Sequence, residues 1–172
     1  MRLLYRTRQF LNILFAAPGP GKLADARRIL SPSLMALFLS MQASEQTHSL
    51  RIFTELLEQG ETNSDLLVAA LLHDVGKSRS PLRPWERVWI VLGKALFSNR
   101  VKRWGKGEPR GWRRPFVIAE QHPAWGAEMA AQAGASPLAV ALIQRHQEPL
   151  LNKHETLEDW LLSRLQLLDN EN

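Results

Sequence analysis

The chain has no cysteine, which excludes disulfide bonds, thiolate nucleophiles and sulfur-ligated metal sites. Any metal it binds must be held by imidazole and carboxylate groups, and the absence also fits a reducing, cytoplasmic compartment. Strict alternation of apolar and polar residues is almost missing, which leaves little from which to build a strand. No stretch approaches the roughly 20 apolar residues that a membrane span requires. Negative charge is also in short supply: 17 Asp and Glu face 22 Lys and Arg, for a formal charge of +5.

At 172 residues, 45% of them apolar and 23% charged, the chain has the size and composition of one globular domain able to bury a core. The positive excess is local. Ten Lys or Arg lie between Pro81 and Phe116, against only Glu86 and Glu108, an excess of +8 that leaves the remainder slightly acidic. Such a patch attracts phosphates, nucleic acid or an anionic membrane surface. The N-terminal stretch, basic at Arg2, Arg6 and Arg8 and apolar from Phe10 to Ala17, has the outline of a short signal peptide. The competing reading is an amphipathic helix ending at Pro18-Gly19-Pro20-Gly21, within an N-terminal extension over 1–30.

Apolar residues recur at helical spacing, so the expected fold class is all-α, a single helical bundle over 1–172. A short helix near Leu23 to Leu30 gives way at Ser31-Pro32, a cap and first-turn pair, to a helix expected to run to about Gln59. Asn63-Ser64-Asp65 offers the N-cap of a very apolar helix, Leu66 to His73, which Gly76 is expected to stop. Pro81 and Pro84 introduce a Trp-rich helix near Trp85 to Phe97, followed by a basic loop from Gly105 to Gly111. Helices near Val117 to Ala133, Pro137 to Gln147 and Thr156 to Asp169 complete the chain, with a linker from Pro149 to Glu155.

Four of the five histidines stand where a buried site would need them. His73-Asp74 closes the apolar helix, where neighbouring imidazole and carboxylate groups can ligate one cation. His48 lies 25 residues upstream, His122 and His146 lie 24 apart on later helices, and Asp169 is near the end. Each has a plainer reading: His48 as a hydrogen-bonded helix histidine, His122 before Pro123 as a helix start, His146 as a surface residue. His154 fits no position in the pattern and is assigned to a solvated linker. Imidazole and carboxylate suit Mn, Fe, Ni, Co, Zn or Mg.

The order His, His-Asp, His, His, Asp, with His73-Asp74-Val75-Gly76-Lys77 at its centre, resembles the HD-domain superfamily of metal-dependent phosphohydrolases over about His48 to Asp169. The resemblance implies that His48, His73, Asp74 and Asp169 hold one divalent ion. It further implies that Asp74 bridges to a second ion on His122 and His146, and that a metal-activated hydroxide attacks phosphorus. Asp74 and Lys77 are the implied catalytic pair. Lys77 either binds a phosphate oxygen or is a solvated lysine at a helix C-terminus. Asp169 is the ligand with the most rivals, Asp159 and Glu171 among them, but Leu161, Leu162, Leu165 and Leu168 form a stripe that would dock its helix and turn it inward.

The segment 81–116 is an insertion relative to a minimal domain of this kind. Its helix is expected to bury much of itself by covering the site and packing on the core; peripheral membrane contact and self-association are the alternatives. Arg83, Arg87, Arg113 and Arg114, with Lys77, are the expected binders of a small phosphorylated or nucleotide-like substrate. Nucleic acid is not the expected partner. The Gly-Tyr-Pro signature of cyclic-dinucleotide phosphodiesterases is missing after the fourth histidine. Two other classes stay open, a non-catalytic metal-holding regulatory module and a di-iron oxygenase of the same fold.

Overall fold

A computed structural model describes residues 20–149 and 156–171. The two readings of the N-terminal stretch, and that of His154, concern residues outside these. Every regular element among the described residues is helical.

Helix α1 (Pro20–Ile29) hands over to α2 (Pro32–Ser40) at Ser31, whose hydroxyl accepts from the Leu34 N–H. Pro32 occupies the first turn, where a missing N–H costs nothing. The single helix expected from Pro32 to about Gln59 is in fact broken. Met41 and Gln42 are extended, and the chain re-forms as α3 (Ala43–Glu58). The break is held by two features: Met41 buries its side chain in the core, and the Gln46 amide donates to the carbonyls of Leu39 and Met41.

Helix α4 (Ser64–Leu72) is the centre of the bundle. Asn63 accepts from the N–H groups of Asp65 and Leu66, 3.0 Å each, and every residue from Leu66 to Leu72 is buried. Around α4 pack α1, α2 and α3, together with α7 (Pro137–Arg145) and α8 (Leu157–Glu171). A hydrogen bond of 2.5 Å from Ser136 Oγ to Asp65 Oδ1 ties the start of α4 to the start of α7.

Past His73 the chain tightens into a 3₁₀ turn, Val75–Arg79, and Gly76 lies inside this turn rather than stopping a helix. Its role is close approach. The turn presses on α6 (Arg114–Gln132), and a Cβ at Gly76 would collide with the His122 carbonyl oxygen and lie 2.7 Å from the Gly126 nitrogen. No side chain fits between these backbones. Pro123 sits within α6, so His122 does not begin a helix.

The Trp-rich helix α5 (Pro84–Trp104) is longer than expected and kinks at Phe97, where φ is −139° and ψ is 40°. The expectation that it buries much of itself is overturned: Trp85, Val88, Trp89, Leu92 and Leu96 are all exposed. Its main partner is α6, through Gly93 against the Phe116 ring and through the Gln121 amide, which donates to the Gly105 carbonyl, and no described element covers its far side. Among the described residues no helix is long and apolar enough to cross a membrane.

Replacing Gly76 by Ala should destabilise the fold by at least about 1–3 kcal/mol, because two backbones rather than a flexible side chain must move. Urea unfolding is expected to show a lower midpoint at unchanged slope; an unchanged midpoint would mean that the turn can lift off α6 freely.

Candidate metal centre

Three elements meet around Asp74. The end of α4 contributes His73 and Asp74, α6 contributes His122, and the C-terminus of α7 contributes His146. From outside, α3 brings His48 and α8 brings Asp169. Two groups of three result, each with ligand atoms within 4.8 Å of one another: His48, His73 and Asp169, then Asp74, His122 and His146. The two carboxylate oxygens of Asp74 are divided between them. Oδ1 lies 3.2 Å from His122 Nε2 and 3.9 Å from His146 Nε2, while Oδ2 lies 3.7 Å from His73 Nε2. Asp169 Oδ1 is 2.8 Å from His48 Nε2 and 3.6 Å from His73 Nε2.

The other ring nitrogens are committed to the backbone. His73 Nδ1 donates to Ala70 O at 3.0 Å and His146 Nδ1 to Ile143 O at 2.7 Å, each three residues back on its own helix. His122 Nδ1 shares its proton between the carbonyls of Ile118 and Ala119 at 3.0 and 3.1 Å. The Ala119 carbonyl is available because the residue four positions on is Pro123, which has no N–H to give it. With Nδ1 protonated, each Nε2 carries a lone pair aimed at the centre, the tautomer a metal-ligating imidazole needs.

Two details test whether a cation fits. The buried His73 Nε2 has no hydrogen-bond partner, a costly state for an acceptor. The Nε2 atoms of His122 and His146 stand 3.3 Å apart, too close for two lone pairs with nothing positive between them. A divalent ion on each group would resolve both, and the all-nitrogen and oxygen donor set suits a borderline or hard metal.

Electrostatics point the same way. Burial works to raise the Asp74 pKa, yet Lys77, His73 and His122 outweigh it and hold the carboxyl well below its usual range. Burial likewise opposes charge on Lys77, but Asp74 and Glu45 raise its pKa, so the ammonium persists; its Nζ lies 2.6 Å from Asp74 Oδ2. Lys77 is therefore not the solvated lysine of the alternative reading. Burial would also depress Asp169's ionisation, but the hydrogen bond from His48 and the neighbouring His73 imidazole keep it charged. Burial, then repulsion from His73 and His122, pushes the His146 pKa down to about 3, and burial lowers that of His122. His73 runs the other way, since Asp74 and Asp169 overcome its burial.

The C-terminal helix is docked by buried Leu161, Leu162, Leu165 and Leu168. Gln166 Nε2 donates to the carbonyls of His146 and Glu148 at 3.2 and 2.8 Å, satisfying orphan acceptors at the end of α7 and fixing the backbone that carries the His146 ring. Asp159, a rival to Asp169, instead accepts from Arg145 at 3.1 Å and from Thr156 at 2.8 Å. His146 is buried, not a surface residue.

A cavity of about 640 Å³ opens over the Asp74, His48, His122 and Asp169 side chains, and Lys77 lines it. Of the four arginines expected to bind substrate, Arg87 reaches this wall, held 2.7 Å from the buried carboxylate of Glu45. Arg83 stands exposed at the N-cap of α5, and Arg113 stacks over Trp112 at 5.1 Å. Arg114 clamps the start of α5 to α6 through Glu86 at 2.5 Å and the Pro81 carbonyl at 2.9 Å. These three line no part of the cavity. Sequence reasoning missed Glu45, Arg51 and Lys94, which do. For the first two a signal existed: they lie three residues on either side of His48, on one helix face.

The HD domain family model matches residues 33–171. No curated protein and no solved structure matches the chain.

Lowering the pH should weaken the metal-free fold. His122 and His146 stay neutral when folded but take protons in the unfolded chain below 6.5, so the unfolded state binds more protons and stability falls as pH drops through that value. His73, with its raised pKa, offsets part of this loss. Unfolding midpoints of chelator-stripped protein should decline between about pH 7 and 5, and His146→Gln should flatten the decline. A midpoint that rises on acidification would contradict these assignments.

Proposed function

Because the chain belongs to the HD domain family, whose members are in general metal-dependent phosphohydrolases, we propose that it hydrolyses a small phosphorylated or nucleotide-like substrate at the Asp74 centre. The observation that carries this reading is the pairing of two ligand groups about one carboxylate, beside a cavity lined by cationic side chains. His48, His73 and Asp169 would hold one divalent ion, His122 and His146 a second, with Asp74 offering one oxygen to each side. When bound, such ions supply Lewis acidity, neutralising phosphate charge and easing the deprotonation of water.

The chain's own groups do the rest. Asp74 is kept ionised and immobile by Lys77, so it offers a charged oxygen to each half of the centre without reorganising. Lys77 gives one N–H to Asp74 and, lining the cavity, has further N–H groups to turn toward a phosphate oxygen. Arg87, pre-oriented by Glu45, Ser44 and Gln42, adds a fixed guanidinium to the wall. Leu82, Ile90 and Ala119 make part of that wall apolar and limit water around the bound ester.

The test is phosphate release from a panel of nucleotides and phosphoesters after loading with Mn, Fe, Ni, Co, Zn or Mg. Asp74→Asn should reduce turnover by at least about a hundredfold, and Lys77→Met should reduce turnover per bound metal ion when compared with wild type at matched metal content. Metal-loaded wild-type protein that releases no phosphate from any member of the panel would remove the proposal. Oxygen uptake by an iron-loaded form would replace it with oxygenation.

A further inference from the structure

The centre accounts for the inner wall of α5 but not for its outer face. Trp85 is followed three and four positions on by Val88 and Trp89, both of these reach Leu92 by a four- or three-residue step, and Leu96 comes four further on, so the five fall on a single stripe, and each is between 45% and 69% exposed. A contiguous exposed apolar stripe of this kind marks an interaction surface. It is the convex ridge of one helix rather than a groove. Two indoles stand in its first two turns, and indole prefers the boundary between apolar and aqueous phases.

The surrounding charge narrows the partner. Arg83 precedes the stripe, and Arg100, Lys102 and Arg103 follow it; all four are exposed, and no carboxylate pairs with them among the described residues. The two acids of the segment are occupied elsewhere, Glu86 with Arg114 and Glu108 with Arg110. A second copy docked on the same stripe would set these cations against their own images, and a nucleic acid would have no use for Val88, Leu92 and Leu96. A fluid anionic surface satisfies both features at once: its acyl boundary takes the apolar ridge and its headgroups take the cations.

We propose that the outer face of α5 docks the protein on anionic lipid bilayers. The proposal is independent of whether the centre hydrolyses phosphoesters. Because Ile90, Val91 and Lys94 of the same helix line the cavity, docking sets that wall of the cavity beside the headgroup layer.

The experiment is flotation of full-length protein with phosphatidylcholine vesicles and with vesicles containing phosphatidylglycerol, alongside sedimentation velocity without lipid. Wild type should float with the anionic vesicles and not with the neutral ones, and added salt should weaken the association. Trp89→Glu with Leu92→Glu should cut partitioning at least about tenfold, and Arg100→Glu with Arg103→Glu should shift it to higher anionic lipid content. All these positions are exposed, so unchanged unfolding midpoints are expected to certify the variants as folded. Absence of vesicle binding by wild type, or equal binding by the Trp89→Glu, Leu92→Glu variant, overturns the proposal. So does a lipid-independent dimer that this variant abolishes, which would assign the stripe to a second copy.

Discussion

The centre depends on a commitment made at the far side of each ring. His73, His122 and His146 each donate Nδ1–H to a carbonyl of their own helix, so tautomer and ring direction are set by helical backbone rather than by mobile side chains. Once that proton is placed, the three Nε2 lone pairs have no choice but to converge, and Asp74 is the anion they converge on. A bundle that buried these groups without a cation would bear the full desolvation penalty of an unpaired imidazole nitrogen and of two facing lone pairs. The architecture is intelligible as a scaffold for charge, with Lys77 keeping the carboxylate ionised.

Stability and the placement of the centre's side chains come from the same contacts. The apolar stripe of α8 docks the helix, and that docking presents Asp169 to His48 and Gln166 to the end of α7. Gly76 lets the 3₁₀ turn meet α6 backbone to backbone, which brings Asp74 within reach of His122. Pro123 weakens α6 by one hydrogen bond and leaves Ala119 O free for the His122 ring. Ion pairs to buried carboxylates, Arg87 with Glu45 and Arg164 with Glu61, anchor α5 to α3 and α8 to the turn before α4.

What could be read from residues alone was set by periodicity and by local chemistry. The apolar run from Leu66 to Leu72, the Ser31 and Asn63 caps and the Leu161 to Leu168 stripe state their own structure, because each rests on spacing within one helix. The break at Met41 does not, since it is held by a tertiary burial and by a Gln46 side chain acting on the preceding helix. The outward face of α5 is illegible for a related reason: apolar content says that a side chain avoids water, not which element will shield it. Arg114 looked like a phosphate ligand and is a clamp on Glu86, a distinction that exists only when both helices are placed.

The candidate ligands also differ in how far the chain must travel to bring them together. His122 and His146 are separated by 24 positions, whereas His48 waits for a partner 121 positions later. A polypeptide emerging in order from the ribosome therefore carries Asp74, His122 and His146 in hand before Asp169 has been synthesised. Closure of the outer group has to wait until α8 exists and has folded back onto α3.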